Sequence, residues 1–169
     1  GPILRWRDVE GDFADLPRRL TTRLAALGLF FIACGMAKKL LVADVLLPRV
    51  DELFANAANL RFFSGWAAAL GYSLQLYFDF SGYSDMAVGI AYLLGFHFPQ
   101  NFDSPYKAAN PSQFWRRWHM TLSFWLRDYV YIPLGGSRRG MSVTVRNLML
   151  TFIVAGIWLA VGRSPITME

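Results

Sequence analysis

The chain of 169 residues is 54% hydrophobic and 17% charged, richer in apolar residues and poorer in charge than soluble domains usually are. Its net charge of +5 does not indicate nucleic acid, because no zinc-finger, RNP-type or phosphate-loop pattern accompanies the basic residues. Those residues cluster at the edges of apolar segments (Arg18, Arg19 and Arg23; Lys38 and Lys39; Arg116 and Arg117; Arg138, Arg139 and Arg146), as expected of membrane helices flanked by anionic lipid.

In chain order, residues 1–23 are polar and mixed in charge and predict a loop or surface helix. The chain begins at Gly1 with nothing resembling a signal peptide, so an internal piece of a longer chain is expected. Four apolar blocks follow, Leu24–Ala37, Phe62–Phe78, Met86–Phe96 and Asn147–Gly162. Each falls short of the roughly 20 apolar residues of an unambiguous span, but in a multi-helix protein neighbouring helices shelter polar positions. The expected fold class is therefore all-α, a multi-pass transmembrane helical protein forming one partial domain over 1–169, with helices over 24–162. Buried helices of a soluble all-α domain are the alternative. The single cysteine, Cys34, excludes an intrachain disulfide and a cysteine metal cluster and is expected to pack as a small hydrophobe. No metal site is expected.

Two segments carry polar residues that need an explanation. In "LYFDFSGYSDMAVG", Asp79 and Asp85 interrupt an apolar stretch, with Ser81-Gly82 between them able to kink or break a helix. Unpaired carboxylates in hydrocarbon are costly, so both either line a polar cavity that binds substrate, or cap a broken helix or pair with an arginine. In "NPSQFWRRWHMTLSFWLRDYVYIPLGG", Asn110 is placed to cap a helix starting at Pro111, with Gln113 reaching back to the cap. A helix over Pro111–Tyr131 would put Trp115, Trp118, Leu122, Trp125 and Tyr129 on one face, beside a stripe of Arg116, His119, Ser123 and Arg127. Such a helix suits the membrane interface, anchored by tryptophans and arginines. His119 at the seam is either a core histidine with both nitrogens satisfied or a catalytic group. His97 stands beside a proline turn with no second polar stripe. "YVYIPLGG" has strand-type residues, but Pro133 and its glycines make it a helix exit.

The run from "YFDFSGYSDM" through "FHFPQNFDSPYKAANPSQFWRRWHMTLSFWLRDYVYIPLGG", with "GPILRWRD" and "GMAKKLLVADVL" before it, resembles the bacterial branch of the membrane-bound O-acyltransferases. That branch includes proteins of alginate O-acetylation and teichoic acid D-alanylation. The resemblance covers nearly the whole chain and implies the central part of a longer protein of the bacterial cytoplasmic membrane, with helices around a funnel through the bilayer. No bound cofactor is implied. The co-substrate would be an acyl thioester, acetyl-CoA or an acyl carrier, and the acceptor a hydroxyl of an exported polysaccharide. Membrane lipid and accessory periplasmic or extracellular acetylation proteins are the other implied partners.

His119 matches a motif histidine of the family and would assist proton transfer or orient the acceptor. Arg116 and Arg127 would bind an anionic part of donor or acceptor, Asp79 and Asp85 would shape the polar cavity, and Ser123 completes the candidate substrate-binding set. The family's more strictly expected histidine, its expected base, comes later in a pattern G-[LI]-W-H-G. Here Gly156, Ile157 and Trp158 fit it, Leu159 stands in the histidine position, and residues 163–169 form a divergent tail. A frame error at a fragment boundary, a degenerate copy, or chemistry resting on His119 alone would each account for this; the abrupt divergence favours the first. The 169 residues alone are expected to be inactive. A transport or scaffold role in polysaccharide export, suggested by carboxylates at a broken helix, is the non-enzymatic alternative.

Overall fold

A computed structural model describes residues 2–14 and 21–162, leaving Arg18, Arg19 and the 163–169 tail outside. Among the described residues the regular structure is entirely helical. Helix α1 is Trp6–Ala14 and α2 Thr22–Lys38; a π-helical turn, Lys39–Ala43, leads without interruption into α3, Asp44–Ala55. Helix α4 is Phe62–Leu93, α5 Pro111–Trp115 and α6 Met120–Leu126; α6 passes into a second π turn, Arg127–Tyr131, and α7 is Met141–Gly162.

Two apolar stretches are long enough to cross a membrane, Thr22–Ala55 with mean hydropathy 1.8 and Met141–Ala160 with 1.7. Only 11% and 6% of their most apolar windows are buried within the chain. Phe30, Leu41, Ile153 and Ile157 each expose more than half of their surface. A helix apolar all round and turned outward is not the core helix of a small soluble domain. It needs lipid or further helices against it.

Helix α4 corrects one expectation. Ser81-Gly82 does not break it, and the predicted blocks Phe62–Phe78 and Met86–Phe96 join into one helix of 32 residues. The missing Cβ atoms at Gly82 and Gly89 are used for close approach instead. Gly28 of α2 faces Gly89 and Gly35 faces Gly82, an antiparallel register repeated after seven residues on both helices. A Cβ at Gly35 would lie 2.5 Å from the Gly82 carbonyl oxygen, and one at Gly89 2.6 Å from the Gly28 carbonyl oxygen. This backbone-to-backbone contact is the small-residue packing that joins helices where no hydrophobic gradient drives them together. It offsets the helix propensity lost at each glycine, about 1 kcal/mol.

The single helix expected over Pro111–Tyr131 is also corrected. Asn110 caps α5 as predicted, accepting the Gln113 backbone N–H at 2.8 Å, although the Gln113 side chain takes the N–H of Ala109. The α-helix then stops. Arg117 gives its carbonyl to the Asp103 N–H, the Met120 N–H turns to the Asn101 carbonyl, and His119 adopts a left-handed backbone with φ +43°. Hydrogen bonds to the 101–103 loop thus replace the next turn of helix.

The aromatic stripe is accordingly dispersed. Trp118 stacks on Phe114 at 5.5 Å and meets Phe102 at 5.1 Å. Trp115 meets Phe152 of α7, and Trp125 meets Trp158. Leu122 is buried, while Tyr129 is 57% exposed.

The start of the chain docks on the second π turn. Arg5 donates to Asp8 and, at 2.7 Å, to Asp128; Arg7 also donates to Asp128. Hydrogen bonds from Arg127 first, then from Arg5 and Arg7, hold the Asp128 carboxyl down to about 2 from an ordinary 3.8. A carboxyl depressed on folding stabilises fully above its unfolded value, and that contribution fades as pH falls through the folded one. Docking of 2–14 is therefore expected to persist at pH 5 and loosen between about pH 4 and 2. Asp128→Asn should loosen it at neutral pH by on the order of 1 kcal/mol, read as faster proteolysis within residues 2–14.

Candidate functional site

The charged residues singled out in the sequence separate into structural pairs. Lys38 Nζ lies 2.5 Å from Asp85 Oδ2, and Lys39 Nζ lies 2.7 Å from Asp79 Oδ1 and 3.1 Å from Asp44 Oδ1. The carboxylates pair with lysines of the first π turn and its preceding residue, not with arginines. Helix α4 runs unbroken through Asp79 and Asp85. The π turn accounts for the arrangement: its extra residue per turn re-aims Lys38 and Lys39 toward α4. Asp85 is the more buried of the two carboxylates, its side chain 14% exposed, so removing Lys38 leaves it charged with little solvent around it. Lys38→Met is expected to destabilise by about 3 kcal/mol and Lys38→Met with Asp85→Leu by much less, measured by thermal unfolding in detergent. With Asp85→Leu alone measured as well, a double-variant loss equal to the sum of the two single losses would show that the pair carries no coupling.

The predicted basic stripe fares no better as a unit. Arg127 donates to Asp128 at 2.8 Å and lies over the Phe124 ring at 5.4 Å, so its charge is engaged by its own segment. Arg116 is exposed. Ser123 donates its hydroxyl to the Trp115 carbonyl at 3.0 Å, bracing the turn around His119. His97 is held by Asp12, whose carboxylate accepts the His97 backbone N–H at 2.7 Å.

His119 stands apart from all of these in a buried polar cluster. Only 6% of its surface is exposed, and its ring meets Phe80 edge-on at 4.8 Å. Its Nδ1 is 3.0 Å from Oδ1 of Asn101, a residue 1% exposed. The same Oδ1 accepts the Thr121 backbone N–H at 3.3 Å and the Thr121 hydroxyl at 3.0 Å, while Asn101 Nδ2 donates to Ser84 Oγ at 3.2 Å. Thr121 Oγ1 in turn accepts the Ile3 N–H at 2.9 Å. Three distant parts of the chain, the N-terminal segment, α4 and the 97–104 loop, thus converge on the histidine turn.

The other ring nitrogen, Nε2, makes no hydrogen bond. Among the described residues no partner faces Nε2, and the fully buried side-chain polar atom without a partner is Ser81 Oγ. Two surface hollows, of about 380 Å³ at Leu60–Ala69 and about 120 Å³ at Tyr131–Arg138, do not reach His119.

Sequence reasoning missed Asn101, Thr121, Ser84 and Phe80. Asn101 lies between Pro99 and Pro105, where asparagine signals a turn, and nothing in its local pattern marks a buried acceptor.

Comparison with known proteins agrees with the sequence resemblance. The membrane-bound O-acyltransferase family profile matches residues 1–158, ending at Trp158, immediately before Leu159. A peptidoglycan O-acetyltransferase of Helicobacter pylori is 46% identical over 163 residues, covering 96% of this chain and 31% of the relative. A probable alginate O-acetylase of Pseudomonas fluorescens is 46% identical over 158 residues, covering 94% of this chain and 31% of the relative. A teichoic acid D-alanyltransferase of Bacillus subtilis is 41% identical over 95 residues, 52% of this chain and 24% of the relative. The chain therefore spans about a third of the length of the two relatives it matches most fully.

Proposed function

Because the chain belongs to the membrane-bound O-acyltransferase family, we propose that it is the central part of a multi-pass enzyme of the bacterial cytoplasmic membrane that moves an acyl group, acetyl in the first instance, from a thioester donor to hydroxyls of an exported polysaccharide. The observation that carries this is the 46% identity, over nearly the whole chain, to relatives named as O-acetylating peptidoglycan and alginate. The donor is acetyl-CoA or an acyl carrier. Lipid, the polymer and accessory acetylation proteins outside the membrane are the partners.

His119 is the proton-handling group of the proposal. Nε2, the ring nitrogen with no partner, accepts the proton of the acceptor hydroxyl as its oxygen attacks the thioester carbonyl. The tetrahedral adduct then collapses, the carbon–sulfur bond breaks, and the thiolate takes the proton back from the imidazolium. A positioned histidine contributes typically 10²–10⁴-fold to such a step. Leu159 cannot share this role, having no proton acceptor. The 169 residues alone are proposed to be inactive, the donor and acceptor passages requiring the rest of the protein. The transport or scaffold alternative loses its motive, since α4 is unbroken and both carboxylates are paired.

The test is transfer of labelled acetyl from acetyl-CoA to polymer in membrane vesicles carrying a full-length protein that contains this chain. Donor-dependent label in the polymer is expected. Unlabelled polymer that is still exported would overturn the proposal in favour of transport.

A further inference from the structure

We infer that Asn101 is a positioning residue for the proposed transfer, because it fixes the tautomer of His119 and so reserves Nε2 as the proton-accepting nitrogen. The inference rests on the functional reading just given, in which His119 handles the proton.

The amide orientation follows from the network. The Thr121 backbone N–H can only donate, so the Asn101 atom 3.3 Å from it is the oxygen. On the other side, the amide nitrogen faces Ser84 Oγ. Thr121 Oγ1 already accepts the Ile3 N–H, which leaves its hydroxyl hydrogen to point at the same amide oxygen. An amide oxygen has no proton to give. The His119 Nδ1 at 3.0 Å from it must therefore carry the hydrogen, and a neutral ring then has its lone pair on Nε2. The opposite tautomer would bring two lone pairs together at hydrogen-bond distance between two buried residues, leaving both acceptors unsatisfied.

Two further features keep the arrangement fixed. Asn101 is 1% exposed, and its backbone carbonyl accepts the Met120 N–H at 2.9 Å, locking the loop to the residue that follows the histidine. His119 itself is held at φ +43°, a conformation a non-glycine residue keeps only where its surroundings over-determine it. Backbone and ring are thus oriented by one asparagine. A carboxylate in the same place would also demand Nδ1–H but would favour imidazolium. The neutral amide selects the tautomer without adding charge, which suits a group that must release its proton each turnover.

The experiment uses a full-length protein containing this chain, labelled with 15N in the histidine rings and held in lipid nanodiscs. The His119 resonances are identified by their loss in His119→Asn. In the unsubstituted protein His119 is expected to be neutral with Nδ1 protonated; Nε2 protonated instead would overturn the inference without any variant being needed. Asn101→Leu should mix the tautomers and lower acetyl transfer by about 10–100-fold, the scale on which groups orienting a histidine act, with kcat falling more than KM rises. Asn101→Asp should restore the Nδ1–H tautomer, part of the rate, and a pH–rate limb shifted to higher pH. A tautomer unmoved by Asn101→Leu would likewise overturn the inference. If the tautomer behaves as stated while transfer ignores both Asn101 and His119 substitutions, it is the proton-handling role of His119 that fails, and the hydrogen-bond assignment stands.

Discussion

Replacing Gly82 by leucine is expected to abolish accumulation of the folded protein in the membrane. A Cβ there would sit 2.7 Å from the Gly35 carbonyl oxygen, 3.2 Å from the Lys38 Cβ and 3.3 Å from the Lys39 backbone nitrogen. Two of these are backbone atoms, so no rotamer change relieves the contact, and α2 must move away from α4 along its length. Gly35→Leu meets the Gly82 carbonyl oxygen and the Met86 backbone nitrogen and should behave alike. Separation also stretches the Lys38–Asp85 and Lys39–Asp79 pairs, which span the same two helices. Overpacking typically costs 1–3 kcal/mol, and parted ion pairs add to it, so a loss of about 3–5 kcal/mol is expected. Gly65→Ala provides the contrast, for nothing lies within 4 Å of its added Cβ. It should be neutral or stabilising by up to about 1 kcal/mol, as alanine favours a helix interior. Thermal unfolding in detergent compares the three. A Gly82→Leu protein as stable as Gly65→Ala would mean that the two helices do not meet at these glycines.

That contact shows where sequence reasoning ran out. Apolar blocks and basic edges marked helices correctly, because hydropathy and charge placement are properties of single residues and short windows. Gly82 was legible only as a kink or break, since isolated glycine signals both a flexible point and a close approach, and the choice depends on a partner 47 positions away at Gly35. The same holds for Asp79 and Asp85. Their need for a counter-charge was readable, but the counter-charges are Lys39 and Lys38, turned toward α4 by a π turn that has no local signature.

Helical spacing misled most after Pro111. A wheel drawn through His119 assumes a continuous helix, whereas backbone groups of Asn101 and Asp103 interrupt it from outside the segment. The choice of His119 did not depend on the wheel, because a histidine between arginines and tryptophans is conspicuous in any register. Its supporting shell did not survive, because Asn101 and Thr121 are ordinary residue types that gain meaning only when the loop closes on the turn.

His119→Asn is expected to lower acetyl transfer by about 10²–10⁴-fold while leaving insertion and abundance close to normal. Asparagine suits this test on physical grounds. It visits the left-handed region more readily than other non-glycine residues, so the backbone at φ +43° need not rearrange, and its amide can still donate toward Asn101 Oδ1. What it lacks is a nitrogen lone pair of imidazole basicity. His119→Gly removes the ring from against Phe80 as well, relaxing the backbone but leaving space that free imidazole can enter. Partial recovery of transfer by added imidazole in His119→Gly, and none in His119→Asn, would tie the lost rate to the missing base rather than to altered packing. The measurement is initial rate of labelled acetyl incorporation, normalised to protein in the membrane. Transfer unchanged in His119→Asn would remove His119 from the chemistry and leave the buried cluster as a brace between the N-terminal segment, α4 and the 97–104 loop.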